Sequence, residues 1–173
     1  MELSTDWAKA EVFSAKMVGL YSLLILFVAI GFWQLGKTAM AKAFVYPLLV
    51  AAAVILLIGA GLYWANKPRI TQFVSEYNSN PQIFVQKEIE RTAKSKRELA
   101  MVFKVLPAII IVAALLILFF DAPWCRAIGI TSILVMVSLM VVDSNTDARN
   151  TAYHQQLLKI DQYEQRTTRT GNY

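Results

Sequence analysis

The reading of the fold turns on residues 81–120. They begin PQIFVQKEIERTAKSKRELAMVFK and continue without a break into VLPAIIIVAALLILFF. Gln82 to Lys104 is rich in Glu, Lys, Arg, Gln and Ala, all good helix formers. Asn80 precedes Pro81, and a residue before proline is pushed out of helical geometry. Asn80 therefore suits an N-cap and Pro81 a first helical residue, where its missing N–H is no loss. Glu90 and Lys94 stand at i, i+4 in the favourable order, and Lys94 and Glu98 add a weaker pair. The stretch predicts one rod of roughly 60 Å, about twice the hydrocarbon thickness of a bilayer. Its first half belongs in water and its second in lipid, with Pro107 expected to kink it near the transition.

The same two-part character extends outward. The chain has 173 residues, of which 57% are hydrophobic, and a mean hydropathy of +0.47. The apolar excess is concentrated in Met17–Leu35, Phe44–Ala65, Val105–Phe120 and Ala127–Val142, none of which contains Asp, Glu, Lys or Arg. The first two blocks have the length of about 20 residues that spanning requires. The last two span if Lys104 and Arg126 snorkel. The first block reads as a permanent span and not a cleaved leader, since it is long and the residues before it include Glu2, Asp6 and Glu11. The expected fold is an all-α integral membrane protein with four transmembrane helices. Helices 2 and 3 extend into a cytoplasmic helical hairpin, and a cytoplasmic C-terminal helix follows.

This divides the chain into an amphipathic segment (1–16), a first transmembrane hairpin (17–65), a cytoplasmic hairpin (66–104), a second transmembrane hairpin (105–142) and a tail helix (143–173). Lys and Arg set the orientation. The leader, the 66–104 loop and the tail hold fourteen of them; the opposite side holds Lys37, Lys42 and Arg126. Both termini should face the cytoplasm, in a multi-pass arrangement suited to a bacterial inner membrane. The net charge of +5 follows from that rule, so nucleic acid is not needed as a partner.

Several local expectations follow. Trp7, Ala10 and Phe13 form a stripe that reads as an interfacial anchor, with Trp7 at headgroup depth. Gly59, Ala60 and Gly61 permit close helix approach, and Gly61 with Ala65 has small-xxx-small spacing. Ile70, Phe73, Val74 and Tyr77 share one face of a short helix. Val85, Ile89, Thr92, Lys96, Leu99 and Phe103 step in coiled-coil spacing with a polar middle. Ser144 and Asp147 resemble a capping box that starts a tail helix near Thr146, with Arg149, Tyr153, Leu157 and Ile160 on one stripe. Two cytoplasmic helices bury little, so the seam calls for the tail or further copies of the chain.

Chemistry is sparse. One histidine, one cysteine and no carboxylates within the spans give no metal centre, and no cofactor is implied. Cys125 is expected as a free thiol at the membrane edge, and a lone cysteine argues against a quinone-linked disulfide oxidase. Ion-coupled carriers hold an ionisable group at midplane, which the apolar blocks lack; small multidrug exporters carry a Glu in their first span, absent here. Arg149-Asn-Thr-Ala-Tyr-His154 resembles the Arg-x4-His active-site motif of the HEPN ribonuclease superfamily over six residues. That resemblance implies RNA cleavage by paired protomers on a soluble bundle, a domain this chain lacks. Lys94, Lys96, Arg97 and Lys104 form a basic cluster at the inner leaflet, suited to anionic lipid head groups. The apolar stripes of the rod and tail exceed what one hairpin can bury, so the favoured function is a homo-oligomeric channel or pore-type effector without enzymatic activity, gated or assembled through its cytoplasmic helices; the alternative is a non-catalytic membrane helper such as an assembly factor or toxin-immunity protein, with a protein partner on the cytoplasmic side. For the first, Ser132 and Ser138 are candidate pore residues and Pro107 a candidate hinge.

Overall fold

The computed structural model describes residues 2–170, with the backbone alone for 164, 165 and 167–170. Its elements are α1 (Glu2–Leu35), α2 (Ala39–Ala43), α3 (Val45–Asn66), α4 (Arg69–Ser79), α5 (Pro81–Phe119) and α6 (Pro123–Thr170). Four helical segments are long and apolar enough to cross a membrane, the architecture of a multi-pass membrane protein. The rod forms as its sequence dictates. Ile83 N donates to Asn80 Oδ1 at 3.1 Å, Pro81 opens the helix, and α5 runs unbroken through Pro107.

Two long hairpins make the molecule, α1 with α3 and α5 with α6, and α6 touches both. The apolar half has its core in Val18, Ile25, Ala29, Leu48, Ala52, Ile55 and Val135. The polar half has a second core made from Trp7, Ala8, Phe73, Phe84, Val85, Tyr153 and Leu157. Two helices, α1 and α6, serve both. Along α1 the buried residues Ala8, Ala15, Ser22 and Ala29 recur every seven positions, as do Ser4, Glu11, Val18 and Ile25. A seven-residue repeat keeps one seam facing its neighbours along the whole helix. Small side chains on that seam let α3 approach, and Ser22 Oγ donates to the Ala52 carbonyl at 3.1 Å.

Five expectations need correction, two of them in part. Trp7 does not stand at headgroup depth: it is 8% exposed inside the polar core, next to the seam residue Ala8, whereas Phe13 of the same stripe is 62% exposed. No separate tail helix starts near Thr146. Nothing in 143–147 breaks a helix, Asn145 Nδ2 bonds the Val141 carbonyl within the helix, and α6 is continuous. Cys125 is a free thiol, as expected, and is buried at the first turn of α6. Lys94 pairs with Glu98 at 3.8 Å rather than with Glu90. On α4, Phe73 is buried while Val74 is exposed. The tail stripe is half right in the same way: Tyr153 and Leu157 are buried and Ile160 is exposed.

Of the residues read as permitting close approach, Gly59 does so and Gly61 does not. A Cβ on Gly61 meets nothing within 4 Å, whereas one on Gly59 would lie 3.1 Å from Gly19 N. Gly129 is tighter: its Cβ would stand 2.5 Å from Ile117 Cγ1 and 2.8 Å from the Ala113 carbonyl oxygen, where α5 and α6 cross. Gly129→Ala is therefore expected to destabilise by about 1–3 kcal/mol through overpacking against backbone. Gly61→Ala should be neutral or gain up to about 1 kcal/mol from helix propensity. Thermal unfolding of the two detergent-solubilised variants checks the contrast.

Candidate functional site

The chemistry-bearing side chains gather in the polar half, where α1, α4, α5 and α6 meet. Trp7 is the centre. Its ring stacks on Tyr153 at 5.5 Å, and the Arg91 guanidinium lies 4.2 Å from the Trp7 centroid. Arg91 Nε and Nη2 donate to Glu88 Oε1 and Oε2 at 2.8 and 2.7 Å, and Tyr153 Oη donates to Glu88 Oε2 at 2.9 Å. The Glu88 side chain is 6% exposed, so a carboxylate taken out of water is held by a fork and a hydroxyl. Burial, then the Glu88 charge, pushes the Tyr153 hydroxyl well above the ordinary tyrosine range. Arg69, hydrogen-bonded to Asn66 Oδ1, joins the same group, and burial lowers it before its repulsion from Arg91 does.

A second ion pair joins the ends of the chain. Arg149 Nε and Nη2 donate to Glu11 Oε1 at 3.1 and 3.0 Å, and Nη2 also donates to Ser14 Oγ. Glu11 is 5% exposed. A third set is neutral: Thr92 Oγ1 meets His154 Nδ1 at 2.6 Å, and Asn150 Nδ2 donates to the Thr92 carbonyl at 3.2 Å. Burial, then Lys96, lowers the His154 pKa.

These contacts decide what the Arg-x4-His spacing amounts to. Five positions along a helix turn Arg149 and His154 about 140° apart. Arg149 accordingly engages α1 and His154 engages α5. They share no site. The buried ions instead fasten the first helix to the rod and to α6. The coiled-coil seam on the rod is covered the same way: Val85, Thr92 and Leu99 are buried, while Ile89, Lys96 and Phe103 are half-buried. Tyr153, Leu157, Trp7 and Phe73 of the same chain supply the cover. Among the described residues no three metal-ligating side chains come together.

The remaining predicted positions are dispersed. Lys94, Arg97 and Lys104 are exposed and Lys96 half-buried along α5. Ser132 and Ser138 border different grooves. Ser138 Oγ bonds Tyr21 Oη at 2.7 Å and the Leu134 carbonyl at 2.8 Å, beside a groove of about 550 Å³ between α1 and α6. Ser132 borders a groove of about 560 Å³ between α3 and α6, reached also by Tyr46, Trp124 and the buried Thr131. Thr131 Oγ1 has no hydrogen-bond partner among the described residues. In the apolar half α5 packs along α6, and it exposes Ile111, Val112, Leu118 and Phe119. No family model, curated protein or solved structure matches the chain.

The sequence reading missed Glu11, Glu88, Arg91 and Trp7 as a group. The signal was available in the seven-residue repeat of α1, which places Glu11 on the same seam as Val18 and Ile25. Glu88 lay one position off the rod's assumed seam. Asp143 was also passed over. Burial raises its carboxyl above the ordinary value, and it has no ion-pair partner among the described residues. A raised folded-state pKa means that the charged form costs stability at neutral pH, and that this cost fades as pH falls through the folded pKa. Asp143→Asn should thus raise stability at pH 7 by up to about 1 kcal/mol, small because the group is only half-buried. The gain should vanish at acidic pH. Melting temperatures of variant and wild type across roughly pH 3–7, which reaches below the unfolded carboxylate pKa of about 4, test the sign.

Proposed function

We propose that this chain is a non-catalytic helper of a bacterial inner membrane, with both termini and the polar bundle in the cytoplasm. It binds another membrane protein through its apolar half. The observation that carries this is where the unfilled surface lies. The seam of the polar half, which calls for the tail or for further copies, is covered by the chain's own α1, α4 and α6. The apolar half offers the packing surface: α5 shows a continuous apolar face, and a groove of about 560 Å³ runs between α3 and α6. Polar groups of the spans support the same reading, since Ser22, Tyr21 and Ser138 are tied to one another or to backbone. Association of helices within lipid rests on such packing surfaces and on occasional hydroxyls, here Thr131 and Ser132.

The second reading is the homo-oligomeric channel, in which copies cover the α5 face and Ser132, at the open edge of α6, faces the path. Photo-cross-linking from position 111 or 118, combined with the particle mass in detergent and ion flux in liposomes, separates them. The helper reading expects a monomeric mass, no flux, and cross-links to one other membrane protein. Self-cross-links with flux overturn it in favour of the channel.

A further inference from the structure

We infer that the groove between α1 and α6 is a binding site for one membrane phospholipid, its phosphate held by Arg149 and an acyl chain lying toward Ile55. This goes beyond the helper reading and uses only its membrane placement. The groove is graded. Ser14, Asn145 and Arg149 stand at one end, Met17, Val18, Val137 and Val141 continue from them as an apolar trough, and the Tyr21 and Ser138 hydroxyls beyond are bonded to each other. The polar end coincides with the limits of the uncharged blocks at Met17 and Val142, the depth at which lipid head groups lie.

Charge complementarity identifies the occupant. Arg149 lines the groove; Glu11, its buried partner, does not. Arg149 uses Nε and Nη2 for Glu11, Ser14 and Thr146, and Nη1 makes no hydrogen bond to any described residue. A molecule in the groove therefore meets a cation already oriented by its neighbours, with one edge of the guanidinium still able to donate. Planar N–H donors of this kind suit phosphate oxygens. The cavity has the volume of a ligand site, which runs from about 300 to 1,000 Å³. A second copy's helix would bury Arg149 against apolar side chains, whereas a phosphodiester with an attached chain satisfies both ends of the groove.

The test is native mass spectrometry of the detergent-purified full chain, incubated with phosphatidylglycerol, phosphatidylcholine or a diacylglycerol that lacks phosphate. The site should retain one phospholipid per chain about tenfold or more better than the diacylglycerol, the effect of one charge-assisted hydrogen bond. Val141→Trp fills the trough from an exposed position and should abolish retention with the helical content unchanged. Glu11→Gln combined with Arg149→Gln removes the charge without leaving a buried ion alone, and should lower phospholipid retention to the diacylglycerol level. Equal retention of diacylglycerol, retention undiminished in Val141→Trp, or no retained lipid by a wild-type chain that still floats with liposomes would each overturn the proposal. Flotation reports membrane placement separately, so loss of the lipid site and loss of that placement are distinguishable.

Discussion

Trp7→Ala is expected to cost about 3–5 kcal/mol, the range for deleting a buried aromatic. The ring is 8% exposed, stacks on Tyr153, and carries the Arg91 guanidinium on its face. Its removal opens a cavity where α1, α5 and α6 meet and strips Arg91 of its apolar support. The damage should be confined to the polar half, since the apolar core around Ile25 and Ile55 is formed separately. Two measurements check this: thermal unfolding in detergent by circular dichroism, and the rate at which a protease cuts within residues 1–16. Trp33→Ala is the control. Trp33 is 72% exposed, so its loss should change stability by no more than about 0.5 kcal/mol in detergent. An interfacial role for residues 1–16 expects a different pattern: Trp7→Ala would weaken membrane contact and leave unfolding in detergent unchanged.

Glu88→Ala should be nearly as damaging. It leaves Arg91 without its two carboxylate contacts and Tyr153 without its carboxylate acceptor, all within a largely dehydrated site. Breaking a buried pair from one side costs about 3–5 kcal/mol, because the remaining charge is uncompensated. Glu88→Gln keeps the shape and one oxygen acceptor, so its loss should be smaller. The double change of Glu88 and Arg91 to Gln and Leu should recover part of the difference, because no ion is then stranded. Denaturant titration of wild type, Glu88→Gln, Arg91→Leu and the double variant gives the coupling directly. Equal stability of Glu88→Ala and wild type would mean that this carboxylate is solvated and that the polar core is not closed.

These two residues also show where sequence reasoning stopped. The rod, its Asn80-Pro81 start and the apolar blocks were legible, because capping, helix propensity and hydropathy act within one segment. Partnership between segments was not. Trp7 followed by apolar residues looks the same whether its stripe meets lipid or protein. Only the continuation of the repeat from Ala8 through Ala29 shows that α1 presents one seam throughout. Glu88 carries no local mark of burial; it is buried because Tyr153 and Arg91 reach it from 65 and 3 positions away. Ser144 and Asp147 satisfy a capping pattern that the backbone has no need to use, since α6 simply continues. Gly129 is forced by Ile117 and the Ala113 carbonyl across a helix crossing, which the sequence near either residue does not announce.

The account as a whole depends on the polar half closing within one chain and leaving the apolar half as the open surface. Amide hydrogen exchange of residues 4–15, on detergent particles shown to have the 19.4 kDa protein mass of one chain, tests this most directly. The expected result is slow exchange at every protein concentration, lost in Trp7→Ala. Fast exchange in the single-chain particle, or protection that appears only when chains associate, would contradict it.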